Sequence, residues 1–301
     1  MATQTDFDVV VVGGGAAGLS GALALVRSRR SVLVIDSGAP RNARAEGVHN
    51  FLTRDGLPPG ELLRLGRAEV AGYGGQFRDG EAVSAEPASI DGKDGFRVAL
   101  ADGDVVTARR LLVTTGLVDE LPEIPGLAER WGHDVIHCPY CHGWEVRDQR
   151  IGVLGSAATG HQAPLFAQLS DQVVILANGF EPLDVPGLPV IEGRVTELVI
   201  EDGRLAGARL VHGPVVPLDA LVVSPRFHAR AGLLASLGLK PVEGEFGDSI
   251  PSGPAGATEI PGVWVAGNVT DPMIQVVGAA AAGLMAGARI NADLIFAASG
   301  H

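Results

Sequence analysis

The spacing of apolar positions changes several times along the chain, and each change marks an element. Phe7 to Val12 is an unbroken apolar run rich in β-branched side chains, which predicts a buried strand. It passes through Gly13-Gly14-Gly15-Ala16-Ala17-Gly18 into an Ala/Leu-rich helical stretch reaching about Arg29, and a second strand, Ser31 to Ile35, ends at Asp36. From Asp79 to Arg110 the pattern reads as short strands divided by Asp91-Gly92 and Asp102-Gly103, pairs suited to tight hairpins. Leu111 to Gly116 is again a buried strand closing on a glycine turn. Leu121-Pro-Glu-Ile-Pro125 then supplies a stiff break. A second strand, turn, helix and strand follow at Ile151 to Leu154, Gly155 to Gly160, onward to about Leu169, and Val173 to Leu176. Leu221 to Val223 and Ile260 to Gly267 are further strands, the latter followed by a small-residue helix from about Gln275 to Asn291.

Two strand-turn-helix openings of this kind predict an α/β protein with two Rossmann-like, three-layer nucleotide-binding domains. A domain boundary is expected near residue 120, and no other internal repeat is visible.

Composition narrows the function. Hydrophobic residues are 46% of the 301 and charged residues 19%, so disorder is excluded and there is apolar surface for two cores. The 23 basic and 35 acidic side chains leave a net charge of −12, which argues against nucleic acid as a partner. The longest weakly polar run, Val276 to Ala288, ends at Arg289, so no membrane span is expected. The N-terminus lacks a basic segment of the secretory type, and a cytoplasmic location is expected.

The first glycine turn meets every condition of a dinucleotide site. Gly13, Gly15 and Gly18 follow a strand, open a helix and precede Asp36 at the end of the next strand. Gly13 allows the tight turn, Gly15 admits a pyrophosphate to the backbone, and Gly18 lets helix and strand pack closely. The amides around Ala16 and Ala17 face the anion, and Asp36 accepts a ribose hydroxyl. Ser37, Arg41, Asn42, His49 and Asn50, beside and beyond the second strand, are further candidates for the cofactor site, with a solvated loop as the alternative.

The only two cysteines stand together in His137-Cys138-Pro-Tyr-Cys141-His142. Two thiols at this spacing can close a small disulfide ring, and flanking imidazoles can carry the protons that two-electron thiol chemistry moves. The catalytic candidates are therefore Cys138, Cys141, His137 and His142. A zinc site and an inert buried pair are the alternatives; with no second CxxC or HxxxH in the sequence, no metal is expected.

The order of GGGAAG, LLVTTG at 111 to 116, CxxC at 138 to 141 and WVAGNVTDPMIQ at 264 to 275 resembles the low-molecular-weight thioredoxin reductase family of flavoproteins. The resemblance covers essentially the whole chain. It implies FAD in the first site and a homodimer. It also implies a discontinuous FAD domain of residues 1–119 and 245–301 around a nicotinamide-type domain of residues 120–244. Gly116 falls in the first of these. Gly267 and Asn268 take the place of the family's Gly-Asp beside the ribityl chain, and Gln275 and Val276 open a helix aimed at the flavin. By the same resemblance Cys141 is the thiol on the flavin side and Cys138 the one that meets substrate.

The second glycine turn is degraded. Ala157 replaces its middle glycine, Pro164 falls inside its helix, and Ala177-Asn178-Gly179-Phe180-Glu181 after the next strand has no base for a 2′-phosphate. With a histidine-flanked CPYCHG motif, this resembles the dithiol oxidases of the gliotoxin and holomycin type. That implies oxidation of a small-molecule dithiol, with dioxygen as acceptor. An NAD(P)H-dependent disulfide reductase and a flavin-binding redox sensor are the other readings.

Overall fold

The computed structural model describes residues 5–90, 92–181 and 185–298. Asp91, the first residue of one expected hairpin pair, lies outside them. The chain divides into two compact units. The first holds the chain up to Ala43, Pro59–Val118 and everything from Phe227; the second holds Arg44–Pro58 and Asp119–Arg226. The return to the first unit thus falls at Phe227, ahead of residue 245, and residues 44–58 pack with the second unit although they follow the first βαβ segment in the chain.

The first unit opens with β1 (Asp6–Val12), α1 (Ala16–Arg27) and β2 (Val32–Asp36), continues through α2 (Pro59–Gly72) and β3 (Gln76–Asp79), and adds a meander of β4 (Ala82–Ile90), β5 (Lys93–Leu100) and β6 (Val105–Val113). The meander strands are eight or nine residues long, longer than the sequence pattern indicates. β7 (Leu117–Glu120) leads out of this unit.

In the second unit come α3 (Leu127–Arg130), β8 (Val135–Ile136), α4 (Pro139–His142), β9 (Ile151–Leu154), α5 (Thr159–Ala167) and β10 (Val173–Leu176). They are followed by β11 (Val190–Ile191), β12 (Val195–Glu201), β13 (Arg204–Leu210), β14 (Val215–Pro217) and β15 (Ala220–Val222). The chain then runs through β16 (Arg226–Ala229), α6 (Gly232–Ala235), β17 (Val242–Gly244), β18 (Gly247–Ser249), β19 (Val263–Val265) and α7 (Val276–Ala298).

The main sheet of the first unit has the order β3-β2-β1-β6-β5-β4, with β19 also paired to β6. β1 is parallel to both β2 and β6, the arrangement a βαβ crossover imposes. Side chains alternate across it as a two-residue period requires. Val10, Val12, Leu111 and Val113 enter one apolar cluster with Leu233 and Leu234, while Val9, Val11 and Leu112 enter the other with Leu19, Leu25 and Ile290.

α7 corrects the membrane expectation. Past Arg289 it continues through Ile290, Leu294, Ile295 and Phe296, so by length and composition Val276–Phe296 is able to cross a bilayer. It shares an apolar cluster with α1, where Ala286, Ile290 and Leu294 are buried. Gly283 makes this contact possible, since a Cβ there would stand 1.9 Å from the Ala17 carbonyl oxygen.

In the second unit a parallel sheet, β11-β10-β9-β15-β8, has one face covered by α5 residues Ala163 and Phe166 and the other by the β12-β13-β14 layer. The expected nucleotide-type topology is present here, and it places β8 and α4 so that the cysteine pair follows directly on a sheet strand.

Candidate active site

The first glycine turn forms an open cradle. A Cβ on Gly13 would meet the Thr114 carbonyl at 2.4 Å and one on Gly18 would meet the Gly13 carbonyl at 1.9 Å, so strand, turn and helix are in close contact. A Cβ on Gly15, by contrast, would have nothing within 4 Å. That combination, a tight turn with free space at its middle glycine and the amino end of α1 behind it, fits a pyrophosphate. Asp36 is oriented by its neighbours: the Gly14 N–H donates to its Oδ1 at 3.0 Å, and Arg67 Nη1 lies 3.5 Å from its Oδ2. Ser37 is exposed immediately after it, and Gly116 adopts φ 74° with open space at its Cα.

Gly267 lies at φ 79°, and a Cβ there would touch that of Ala17 at 3.0 Å, so this turn meets the first one. Asn268 is differently employed from the expectation. Its Nδ2, with two hydrogens, lies 3.1, 3.2 and 3.1 Å from the loop carbonyls of Asp271, Pro272 and Ile274 that share them, which leaves its amide oxygen for a ligand hydroxyl. Gln275 precedes the first turn of α7 and its carbonyl accepts from the Ala279 N–H at 2.8 Å; Val276 is the first helical residue. Asn42 is half-buried in the loop before residue 44, and the Arg41 guanidinium lies over the Phe227 ring at 5.0 Å.

His49 and Asn50 sit in the second unit beside the cysteine pair, where Asp55 folds their loop back. It accepts the Asn50 N–H at 2.8 Å and lies 3.4 Å from His49 Nδ1. Asn50 Nδ2 then donates to the Tyr140 carbonyl at 2.6 Å, and His49 Nε2 lies 3.4 Å from Glu145 Oε1.

Cys138 and Cys141 form a disulfide across a Cα separation of 5.2 Å. The bridge spans a single helical turn: Pro139, with its fixed φ and no N–H to satisfy, begins α4, and the Cys141 and His142 amides both donate to the Cys138 carbonyl. Both cysteines are half-buried, within reach of a small reagent. Trp144 is 65% exposed with the Arg147 guanidinium 4.2 Å above its ring, whereas Trp264 is buried in the first unit's core.

The two flanking histidines differ. His137 Nδ1 lies 3.0 Å from the Val223 carbonyl at the end of β15, and buried Gln162 of α5 approaches the same ring. His142 has a buried Nε2 with no hydrogen-bond partner among the described residues. Burial pushes its pKa below the ordinary 6.5; the Glu145 carboxylate opposes this, while His49 and His137 reinforce it.

The His142 shift has a measurable consequence. In the folded protein the ring stays neutral below pH 6.5, where the unfolded chain takes up a proton. The unfolded state then binds more protons, so the contribution is fully present above 6.5 and is lost as the pH falls below it. His142→Gln is expected to lose less stability than the wild type between about pH 7.5 and about pH 5.5. Urea midpoints at the two pH values check this, and parallel losses would contradict it.

The second glycine turn is built unlike the first. The Ser156 N–H donates to Thr159 Oγ1 at 2.8 Å, the Ala158 N–H reaches Ser156 Oγ at 3.3 Å, and the Thr159 N–H donates to the Ser156 carbonyl. Thr159 is fully buried, so its hydroxyl lies inside the turn, where the Ser156, Ala158 and Thr159 amides are already bonded. Pro164 lies inside α5. One feature escaped the sequence pattern: Arg194, just before β12, stands beside Gly179, where a Cβ would be 3.8 Å from its Nε. Gln162, Glu145, Asp55 and Thr159 were also missed. A glutamine on the apolar face that carries Ala163 and Phe166 was the one available signal among them.

A family model for pyridine nucleotide-disulphide oxidoreductases matches residues 7–283. Thioredoxin reductase tcpT of Claviceps purpurea is 31% identical over 98% of this chain and 96% of its own. Among solved structures, HlmI superposes with a TM-score of 0.92 at 45% identity, covering 100% of this chain and 96% of that one. The oxidoreductase from Agrobacterium tumefaciens gives 0.89 at 32% identity, over 97% and 99%. The expected two-Rossmann flavoprotein fold stands, and the open first cradle fits the FAD that such proteins bind.

Proposed function

The chain belongs to the pyridine nucleotide-disulphide oxidoreductase family, and on that premise we propose that this thiol/disulfide oxidoreductase works as a dithiol oxidase, closing an intramolecular disulfide in a small molecule. The observation that carries this reading is the second glycine turn, where the Ser156, Ala158 and Thr159 amides are bonded within the turn and are not open to a nicotinamide dinucleotide. Electrons then enter from the thiol side.

One substrate thiol loses its proton to His137 and attacks Cys138 Sγ. The Cys138–Cys141 bond breaks, a mixed disulfide forms and Cys141 leaves as a thiolate. The second substrate thiol attacks the substrate sulfur of that mixed disulfide, expels Cys138 and closes the product ring. The substrate has lost two electrons and two protons, and the enzyme disulfide has gained the electron pair. Neutral His142, the next residue in the chain after Cys141, exchanges that thiol's proton. Gly13, Gly15, Gly18 and Asp36 would hold FAD, which would supply a two-electron acceptor for the reduced pair, with dioxygen as the final oxidant and hydrogen peroxide as its product. The cytoplasm and a homodimer complete the proposal; exposed Leu284, Met285, Ile295 and Phe296 on α7 offer apolar surface for the dimer.

Arg194 beside Gly179 favours a second reading, an NADPH-dependent disulfide reductase. The two separate in one anaerobic experiment on the purified holoenzyme. Dithiothreitol is expected to bleach the visible flavin band and air to restore it with release of peroxide, while NADPH and NADH do nothing. Rapid bleaching by NADPH that disappears in Arg194→Ala would replace the oxidase with the reductase.

A further inference from the structure

A buried imidazole that takes up a proton becomes a buried charge, which is costly unless an opposite charge stands near it. His142 faces this cost. Its Nε2 is buried without a hydrogen-bond partner among the described residues, and burial is the largest influence holding its ring neutral. The groups whose charges reach the ring are Glu145, His49 and His137, and of these only the Glu145 carboxylate favours the protonated form.

Glu145 lies three residues beyond His142, in the turn at 143–148 that follows α4. Its carboxylate has a fixed partner: His49 Nε2 lies 3.4 Å from Oε1, and on the far side of the same ring Asp55 Oδ2 lies 3.4 Å from Nδ1. A neutral imidazole has one N–H and can serve one of these carboxylates, whereas the protonated ring serves both. Even then the three side chains keep a net negative charge, two carboxylates against one imidazolium. The group is also tied to the redox turn itself. Asp55 Oδ1 accepts the Asn50 N–H at 2.8 Å, and Asn50 Nδ2 donates to the carbonyl of Tyr140, between the two cysteines, at 2.6 Å. Arg147, in the same turn as Glu145, is engaged elsewhere: its Nη1 donates to the Trp144 carbonyl at 2.7 Å and its guanidinium lies over the Trp144 ring.

We propose that Glu145 is a positioning residue for the redox pair: held by His49 and Asp55, its carboxylate stabilises the imidazolium that His142 becomes on taking the proton of the Cys141 thiol. This rests on the assignment of His142 as the acceptor of that proton. In the step it serves, the Cys141 S–H bond breaks, the proton goes to the His142 ring, and the electron pair stays on sulfur as the thiolate. The role has a sign of its own. A carboxylate acting directly on the sulfur would oppose the thiolate, so its removal would make Cys141 more reactive. Acting through His142 it favours the thiolate, and its removal makes Cys141 less reactive.

The test uses flavin-loaded Cys138→Ser, which leaves Cys141 as the single thiol, and compares it with the same protein carrying Glu145→Gln, or Glu145→Ala should the first not fold. Nitrogen-15 NMR of histidine-labelled protein follows the titration of the His142 ring, assigned by its loss in His142→Gln. Alkylation by iodoacetamide at neutral pH reads the thiolate. Without the carboxylate the ring should titrate at lower pH and alkylation should slow by about threefold or more. With His142→Gln also present, Glu145→Gln should slow it no further. An unchanged His142 titration, alkylation as fast as in the parent, or slowing that persists without His142 would overturn the role of Glu145. Parent-rate alkylation in His142→Gln alone would overturn the assignment of His142 on which it rests.

Discussion

Cys138→Ser and Cys141→Ser each reduce dithiol oxidation by at least about a thousandfold while the protein stays yellow, because a serine hydroxyl cannot take part in thiol–disulfide exchange. The cysteine pair is confined to one helical turn of the second unit, whereas the dinucleotide cradle is built from Gly13, Gly15, Gly18 and Asp36 in the first. The cradle is thus built without the sulfur atoms. The two variants differ in what they trap. Cys141→Ser retains the thiol assigned to the substrate, and with an activated disulfide of the product type it should form a stable adduct on Cys138, visible as an added mass. Cys138→Ser should form much less. Turnover retained in either variant would end the relay mechanism, and an adduct confined to Cys141 would reverse the assigned order of the two thiols.

Gly18→Ala is expected to cost about 3 kcal/mol or more in stability, at or above the upper end of ordinary overpacking, and to yield colourless protein. The added methyl would stand 1.9 Å from the Gly13 carbonyl oxygen and 2.7 Å from Thr114 Oγ1. Neither neighbour can give way easily. The first is main chain of the turn itself, and the second is a hydroxyl donating to the Val12 and Gly13 carbonyls at 3.1 and 2.8 Å. α1 must therefore move away from β1, taking the amides of the cradle with it. Gly15→Ala provides the contrast, since nothing lies within 4 Å of a Cβ there. That variant should fold with wild-type stability when free of cofactor and lose flavin affinity only. Thermal melting and the ratio of flavin to protein absorbance after gel filtration check both, and a yellow Gly18→Ala protein melting with the wild type would contradict the packing argument.

Residues that act through local geometry were legible in advance. The strand at Phe7–Val12, the spacing of Gly13, Gly15 and Gly18, and Asp36 at the end of the second strand all occur within one βαβ unit. The turn at Gly155 to Gly160 could be recognised as degraded from Ala157 and Pro164, although its sequence did not reveal that Thr159 fills it. The long α7 departed from its pattern because tertiary contacts, absent from a local window, decide which side of an apolar residue is covered.

The amino-acid sequence by itself determined the two nucleotide-type openings, the glycine cradle and the cysteine pair between two histidines, because each is set by backbone preferences and by neighbours a few residues apart. The tertiary structure alone decided what surrounds the pair. It brought His49 and Asn50 to Glu145 and Tyr140, set Val223 on His137 across 86 residues of chain, and placed Arg194 beside Gly179. Those contacts depend on the order in which strands pair and on which face each helix buries, and that choice is made by the packing of the whole unit, not by any local pattern.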